Sequence, residues 1–367
     1  MEQALALAAL GEGATNPNPR VGCLLVRDGR LVGSGYHRAS GQAHAEALAV
    51  ASAGAEARGA TAYVNLEPCA HEGRTPPCAA LLARSGVCRV VASLRDPNPR
   101  VDGRGFENLR AAGVQVDVGL LAAAAIRLNE PFLHRHQSGV PLVTLKAAIS
   151  LDGMISASGG NARWITSEPA RRFGHRLRMR HDAVLVGAGT LRRDNPRLTV
   201  RLPGIRQIRL RAVLAPRLDL DPRAAFFARD DATAPLPRVY VARGVGAADA
   251  ARFCGRAEIV EVEAPEGRLR LEQVLADLLR LEVHSVLVEG GSETLGAFLE
   301  AGFADRLALF VAPKLLGAGG ATPLLSLASV GEPAAGWGLE EVQQLALGTD
   351  QLWLGRLSRG RAAPDPN

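Results

Sequence analysis

The triplet His44-Ala45-Glu46 and the stretch from Glu67 to Cys78 constrain this 367-residue chain more than any other feature. Together they supply one imidazole, two thiols and a carboxylate that can stay free. Zn²⁺ is often held by three protein N and S ligands that leave a fourth position for water, whose pKa the ion lowers to about 7. We therefore expect His44, Cys69 and Cys78 to bind zinc and Glu46 to move protons. Each residue alone could be an ordinary buried side chain, but their combination favours a metal site.

The order of these residues is close to the pattern H-x-E followed by P-C-x-x-C, which is typical of zinc deaminases. Here the two cysteines are separated by Ala70 to Pro77, where glycine and prolines predict a loop that can bring both thiols to one ion. A structural zinc site in a nucleic-acid-binding module remains an alternative. Such a site would need a fourth protein ligand, for which His71 is the nearby candidate.

Further motifs accompany the zinc set in the first part of the chain. They are Asn16-Pro17-Asn18-Pro19, Val21-Gly22-Cys23 and Asp96-Pro97-Asn98-Pro99. With the zinc set, they resemble the deaminase half of the bifunctional riboflavin-biosynthesis deaminase–reductase family.

The resemblance continues beyond the deaminase half. Five later motifs resemble the reductase half of the same family. They are Leu145-Lys146, Ser150 to Gly153, Trp164-Ile165-Thr166, Val186 to Thr190 and Val288 to Gly291. The motifs follow the family's order over residues 1 to about 357, which is more specific than any one of them.

This resemblance implies an α/β protein with a cytidine-deaminase-like α/β/α domain at residues 1–140. A dihydrofolate-reductase-like α/β domain follows at 141–358, and we expect a disordered tail at 359–367. The implied reactions are zinc-dependent hydrolytic deamination of diaminohydroxyphosphoribosylaminopyrimidine, then NADPH reduction of its ribosyl group to a ribityl chain. Glu46 is the implied catalytic residue, and Asn18 is an implied substrate contact.

In the second domain, the resemblance assigns two further groups of residues. The NADPH-binding positions are Ala148, Trp164, Thr190, Asp194, Gly290, Gly291, Ser292, Glu293, Thr294, Leu295, Gly296 and Ala297. The substrate-binding positions are Lys146, Ala162, Arg178, Leu198, Arg201 and Glu289. The chain departs from the family pattern at Ala162, where serine is common, at Asn195, where a second aspartate is usual, and at Ala215-Pro216, where Asp-Ser is usual.

The residues themselves leave alternatives open in this domain. Gly187 to Thr190 and Glu289 to Ser292 each follow an apolar run, and each could be a phosphate-binding loop or merely a tight turn. Lys146 could be a substrate ligand or a strand-end lysine whose ammonium lies in water. Arg178 and Arg201 suit a phosphate because a guanidinium binds two oxygens, but either could also be a solvated charge.

Composition limits the remaining function classes. The net charge of +6 comes almost wholly from arginines that are scattered among carboxylates, and aromatic residues make up 4%. We therefore expect small-molecule substrates and no nucleic acid. No stretch reads as a membrane span or signal peptide, so we expect a cytoplasmic protein, and we expect a homo-oligomer. Besides the two predicted zinc ligands, Cys23, Cys88 and Cys254 are expected to be small core residues.

The pattern of apolar, glycine and proline residues predicts alternating strands and helices. It predicts helices at 44–53, 78–84, 106–112, 121–136, 168–180 and 271–281, strands at 61–66, 89–94, 142–149, 183–186 and 285–288, and a linker at 138–141. Residues 218–268 give little pattern. A tRNA or nucleoside deaminase joined to an unrelated second domain is the competing enzyme hypothesis, and the Cys69–Cys78 spacing argues against it.

Overall fold

The computed structural model describes residues 1–70, 77–158, 164–202, 205–207, 209–228, 234–327 and 332–359. The chain divides into two compact units, Met1–Val140 and Pro141–Asn367. The predicted linker at 138–141 spans this division. No helix in the described ranges is long and apolar enough to cross a membrane.

The first unit alternates strands and helices around one sheet. In chain order its elements are α1 Glu2–Ala9, β1 Gly22–Arg27, β2 Arg30–Tyr36, α2 Ala45–Ala53, β3 Thr61–Val64, α3 Cys78–Arg84, β4 Arg89–Ala92, α4 Arg104–Ala111, β5 Gln115–Val118, α5 Ala122–Leu128 and α6 Glu130–Ser138. The described strands form the order β2-β1-β3-β4-β5. The pairs β3–β4 and β4–β5 are parallel, so the carboxyl ends of these strands meet at one edge.

The prediction of one helix at 121–136 is wrong in one respect, because two helices separated by Asn129 form there. There α5 ends and α6 begins, with Pro131 near the start of α6. The Asn129 side chain is buried, its Oδ1 accepts the N–H of Arg20 at 2.8 Å, and its Nδ2 donates to the Arg20 carbonyl at 2.9 Å. These bonds tie the break to the segment before β1.

Helix α2 lies unusually close to the sheet. A Cβ added to Gly33 of β2 would lie 2.3 Å from the carbonyl oxygen of Ala49, and one added to Gly35 would lie 2.6 Å from that of Ala45. Real Cβ atoms do not approach so closely, so only glycine fits at both positions. Ala45 and Ala49 are fully buried, and the contact therefore consists of small groups from both elements.

The second unit is built on a larger sheet. Its elements are β6 Leu142–Ser150, β7 Met154–Ser156, α7 Glu168–Arg180, β8 Ala183–Gly187, α8 Ala188–Asp194, β9 Val200–Leu202, β10 Ile205–Gln207, β11 Leu210–Leu214, β12 Arg238–Ala242, α9 Ala247–Ala251, β13 Glu258–Val262, α10 Leu271–Arg280, β14 Ser285–Glu289, α11 Ser292–Glu300, β15 Arg306–Ala312, β16 Thr322–Pro323, β17 Trp337–Leu347 and β18 Asp350–Arg359. The main sheet has the order β13-β12-β11-β8-β14-β6-β15-β18-β17 among the described strands.

The first seven strands in this order, from β13 across the sheet to β15, pair in parallel with one another. Strand β18 is antiparallel to both β15 and β17. Side chains alternate between two buried faces, as parallel sheets require. Val286 and Val288 pack with α10 and α11 on one face, and Leu287 packs with α7 on the other. Both units are therefore α/β, as the sequence predicts.

Two expectations need correction. Cys23 is buried, but Cys88 and Cys254 are exposed and so are not core residues; the Cys88 thiol instead donates to the Gly59 carbonyl at 3.2 Å. Arg359 is the last residue of β18 rather than part of a tail, because it pairs with Trp337 of β17. The rest of the predicted tail, 360–367, lies outside the described residues. The weakly patterned region 218–268 contains β12, α9 and β13.

Candidate functional site

The predicted zinc ligands converge at the edge of the first unit's sheet. His44 is the N-cap residue of α2, with extended backbone, Cys69 follows β3, and Cys78 is the first residue of α3. The His44 Nδ1 lies 3.6 Å from the Cys69 Sγ and 3.3 Å from the Cys78 Sγ. All three donor atoms lie within 4.8 Å of one another. Three different segments of the chain thus contribute one donor each.

This donor set fits zinc. Tetrahedral coordination with Zn–N of about 2.0 Å and Zn–S of about 2.3 Å separates the donors by roughly 3.5 Å. Hydrogen bonds with the Cys78 thiol and His44 lower the pKa of Cys69 to about 4, and the bond with Cys69 raises the pKa of Cys78. One thiol of the pair therefore keeps its proton, and metal binding has to release it. His71, the candidate fourth ligand, lies outside the described residues.

Glu46 is buried in the first turn of α2, beside this donor set. Burial is the largest cause that raises its pKa from 4.5 to about 7, and the nearby charge of Cys69 adds to the effect. A carboxyl group with a pKa near neutrality can both accept and release a proton, which suits general acid–base chemistry. The interval of two residues places Glu46 beside His44 without making it one of the three donors.

A second histidine connects the donor set to the predicted substrate contact Asn18. The Nδ2 of Asn18 lies 3.1 Å from the Nε2 of His37, and the Nδ1 of His37 lies 3.1 Å from the Ala43 carbonyl. The His37 ring meets the His44 ring edge-on at 5.6 Å. Our sequence reasoning missed His37, although its place at the end of β2 could have indicated it.

In the second unit, several predicted residues surround one cavity of about 240 Å³. Lys146 lies in the middle of β6 and pairs in register with Glu289 of β14. Because Lys146 lies within β6 and faces the cavity, the strand-end hypothesis is wrong, and burial lowers the pKa of its ammonium. The cavity wall also includes Ala148, Trp164, Arg171, His175, Arg178 and Arg201. It is therefore strongly basic, with Glu289 as its carboxylate, and suits an anionic ligand.

Arg178 of α7 forms a two-pronged ion pair with Glu289. Its Nε and a terminal nitrogen donate to the two carboxylate oxygens at 2.6 and 2.8 Å, and its other nitrogen donates to the Thr199 carbonyl at 3.1 Å. Burial opposes ionisation of Glu289, but the charge and hydrogen bonds of Arg178 outweigh it and lower the pKa of Glu289 to about 2. Arg178 is thus already engaged by the protein.

The remaining predicted substrate positions differ in what they can offer. The backbone N–H of Arg201 donates to the Nδ1 of His175 at 3.4 Å, and its side chain reaches the Thr199 hydroxyl at 3.0 Å. The Leu198 side chain is buried in the core, so only its backbone can face a ligand. Ala162 lies outside the described residues. Trp164 is 64% exposed, with the Arg171 guanidinium 4.5 Å from its ring centre.

The two glycine turns meet each other. The Thr190 hydroxyl accepts the N–H of Gly291 at 3.1 Å, and a Cβ on Gly290, whose φ is +131°, would lie 2.7 Å from that oxygen. The hydroxyl of Ser292, the first residue of α11, is buried and has no hydrogen-bond partner among the described residues. A hydroxyl without a partner at a helix N-terminus can donate a hydrogen bond to a phosphate, which the N–H groups of the first helical turn also favour.

Other predicted cofactor positions lie further along the same two helices. The Leu295 side chain is buried in the core, and the Cα of Gly296 packs against the Ser326 carbonyl, so both residues face protein on the side where a side chain would project. The Thr294 hydroxyl lies against Gly187, where an added Cβ would be 2.3 Å from it. Glu293 and Ala297 belong to α11, and Asp194 ends α8.

Comparisons with known proteins match both units. Residues 1–94 match the family model of the cytidine and deoxycytidylate deaminase zinc-binding region, and residues 141–350 match the RibD C-terminal domain. The chain is 41% identical to the riboflavin biosynthesis protein RibD of Aquifex aeolicus (strain VF5) over 90% of this chain and 91% of that protein. It is 40% identical to RibD of Escherichia coli (strain K12), over 86% and 88% of the two chains.

Solved structures agree over nearly the full length. A structure of Acinetobacter baumannii RibD superposes with a TM-score of 0.88 at 34% identity and covers 98% of both chains. A Thermotoga maritima diaminohydroxyphosphoribosylaminopyrimidine deaminase/5-amino-6-(5-phosphoribosylamino)uracil reductase gives a TM-score of 0.85 at 34% identity, over 98% of this chain and 97% of that one. The predicted family, fold class and pair of activities are confirmed. The chain therefore belongs to the bifunctional RibD family of riboflavin biosynthesis, which joins a hydrolytic deaminase to a reductase.

Proposed function

We propose that the two units act in succession on one phosphorylated aminopyrimidine. The first unit hydrolyses the amino group of diaminohydroxyphosphoribosylaminopyrimidine, and the second reduces the ribosyl group of the resulting uracil derivative with NADPH. The observation that carries this proposal is the convergence of His44, Cys69 and Cys78 beside the buried carboxyl group of Glu46. The tRNA or nucleoside deaminase alternative does not account for a second unit that matches the RibD reductase domain.

In the first unit, His44, Cys69 and Cys78 hold the zinc ion. When bound, zinc supplies a Lewis acid that makes water acidic enough to attack at neutral pH. Deamination forms a C–O bond and breaks a C–N bond, so the attacking water must lose both of its protons, one to the ring nitrogen and one to the departing nitrogen. Glu46 takes one proton from the water and delivers it to the ring nitrogen, then takes the remaining proton from the new C–OH group and delivers it to the amino group, which leaves as ammonia. Asn18, held by His37, faces the substrate.

In the second unit, the basic cavity binds the phosphorylated substrate. Arg201 and the neighbouring His175 supply donors for the phosphate, because the guanidinium of Arg178 is engaged by Glu289. Lys146 donates to the ring carbonyl that deamination creates. These residues orient the sugar so that its open imine form can accept hydride at C1′.

NADPH supplies that hydride when bound, and this chain's part is to hold its phosphates and nicotinamide. The turn from Gly290 to Ser292 presents backbone N–H groups and the unpaired Ser292 hydroxyl at the start of α11. Thr190 fixes the shape of that turn through the Gly291 N–H. Ala148 and Trp164 line the cavity where the nicotinamide would meet the substrate. We further propose a cytoplasmic homo-oligomer that binds neither nucleic acid nor membrane.

The test is ultraviolet monitoring of the purified chain with the diamino substrate, with and without NADPH. Glu46→Gln should retain zinc but deaminate at least ~10²-fold more slowly, while it still reduces substrate that has already been deaminated. Because an unpaired buried donor costs about 1–3 kcal/mol, the same variant should consume NADPH roughly ten- to a hundredfold more slowly with the undeaminated precursor. Wild-type deamination by Glu46→Gln would refute its role, and equal reduction of both compounds would refute the order.

A further inference from the structure

The buried carboxylate of Glu67 lies two residues before the metal ligand Cys69. Its Oε2 accepts the N–H groups of Asp96 at 3.1 Å and Gly103 at 3.0 Å. Its Oε1 accepts those of Gly105 at 2.8 Å and Phe106 at 3.3 Å. Four backbone donors from a segment 29 to 39 residues away thus converge on one side chain.

Three of these donors belong to the start of helix α4. The first N–H groups of a helix have no partner within it, and the N-cap residue here, Gly103, has no side chain to supply one. Glu67 supplies both oxygens instead, and its negative charge is favoured at the positive end of the helix. The first turn of α4 is therefore fixed to the segment that carries Cys69.

The contact between α4 and this segment leaves no space for adjustment. A Cβ added to Gly105 would lie 2.0 Å from the Pro68 carbonyl oxygen and 3.0 Å from the Glu67 Oε1. The first turn of α4 therefore lies directly against the residue that precedes Cys69. Any side chain at position 105 would push the two apart.

Helix α4 also contacts the element that carries the other thiol. Phe106 and Leu109 share a core cluster with Ala79 and Leu82 of α3, whose first residue is Cys78. The two thiol segments meet directly as well, since the Cys78 N–H donates to the Cys69 Sγ at 3.3 Å. One helix thus packs against the supports of both sulfur ligands.

We propose that Glu67 is a positioning residue of the deaminase centre. By binding the first turn of α4, it sets the position of Cys69 relative to Cys78, and thereby the spacing of the two sulfurs around the metal. Glu67 touches neither metal nor substrate. This inference rests on the proposed zinc site at His44, Cys69 and Cys78.

Two variants and one matched control test this role in the full chain. Glu67→Gln turns one acceptor oxygen into an NH₂ group that faces N–H donors, so two of the four bonds are lost. Gly105→Ala keeps the carboxylate but forces α4 away from Pro68. Glu107→Gln removes a charge from the same helix turn at an exposed position. NADPH-dependent reduction by the second unit provides an internal measure of intact protein.

The measurements are zinc affinity by competition with a chelator and the thiolate-to-cobalt absorption of the Co²⁺-substituted protein. Glu67→Gln and Gly105→Ala should bind zinc roughly 10- to 100-fold more weakly, the usual effect of losing a residue that orients metal ligands. Their cobalt bands should shift or weaken, while Glu107→Gln matches the wild type. If Glu67→Gln does not fold, Gly105→Ala decides alone.

Two contrary outcomes differ in meaning. A lower melting temperature with wild-type zinc affinity and a wild-type cobalt spectrum would make Glu67 only a helix cap and overturn the inference. A wild-type protein that shows no thiolate–cobalt absorption would refute the zinc site itself, and with it the proposed function.

Discussion

The ion pair between Arg178 and Glu289 gives a prediction that can be worked out in energy. Both side chains are largely buried, with 15% and 10% exposed, and the contact uses both carboxylate oxygens. Arg178→Met keeps most of the side-chain volume but leaves the Glu289 carboxylate without its main partner. Removing one member of a buried pair typically costs about 3–5 kcal/mol, because the other charge stays buried.

The pKa of Glu289 gives an independent magnitude. Its fall from 4.5 to about 2 in the folded protein corresponds to roughly 3 kcal/mol, at about 1.4 kcal/mol for each tenfold change in proton affinity. Because the folded-state pKa is the lower one, this stabilisation is fully present above pH 4.5. It is lost as the pH falls towards 2. In Arg178→Met, burial should raise the pKa of Glu289, so the difference between variant and wild type should shrink in acid.

The assay is urea unfolding followed by tryptophan fluorescence. All three tryptophans, Trp164, Trp337 and Trp353, belong to the second unit, so the signal reports on that unit alone. At pH 7 we expect Arg178→Met to lower the free energy of unfolding by about 3–5 kcal/mol. Arg172→Met, an exposed control on the same helix, should change it by less than about 0.5 kcal/mol.

A double variant checks that the effect belongs to the pair. Arg178→Met with Glu289→Gln should cost about 2 kcal/mol less than the two single changes added together, because the second change removes the charge that the first leaves unpaired. A loss below about 1 kcal/mol in Arg178→Met at pH 7 would refute the reasoning. So would a loss that stays constant between pH 7 and pH 3.

Three further outcomes are expected. Cys78→Ala should contain no zinc by metal analysis and should not deaminate, yet should still reduce deaminated substrate; full zinc content would contradict the ligand assignment. Thr190→Val leaves the Gly291 N–H without its acceptor, and the loss of about 1 kcal/mol should weaken NADPH binding roughly fivefold in a fluorescence titration, whereas an unchanged Kd would argue against this turn as the phosphate site. Asn129→Ala should destabilise the first unit by about 1–3 kcal/mol in thermal inactivation of the deaminase, since it removes the two hydrogen bonds that the Asn129 side chain makes with the backbone of Arg20; an unchanged inactivation temperature would show that these bonds do not stabilise the unit.

Local sequence signals predicted the elements that have clear ends. Helices α3 and α7 begin and end where the sequence predicts, because proline or serine precedes each and glycine or histidine follows the last turn. That His44, Cys69 and Cys78 lie close together could also be predicted, because an imidazole and two thiols in this sequence pattern are typical zinc ligands. The exposed strand β17 was not predicted, because most of its residues face solvent and show no apolar alternation.

Contacts between distant residues account for what the sequence did not reveal. Arg178 and Glu289 are 111 residues apart, and Asn129 and Arg20 are 109 apart, so no local pattern connects them. The same holds for Glu67 and the start of α4. Each contact satisfies a buried polar group, and the partner becomes apparent only when the chain is folded.

The close approach of α2 to β2 limits how the first unit can change during evolution. Helix and strand meet through glycines and alanines, so the contact contains no large side chain that could be exchanged for a smaller one. Any larger residue there would lift the helix, and His44 and Glu46 would move with it. Residues at this contact can therefore vary very little without displacing two groups of the proposed deaminase centre.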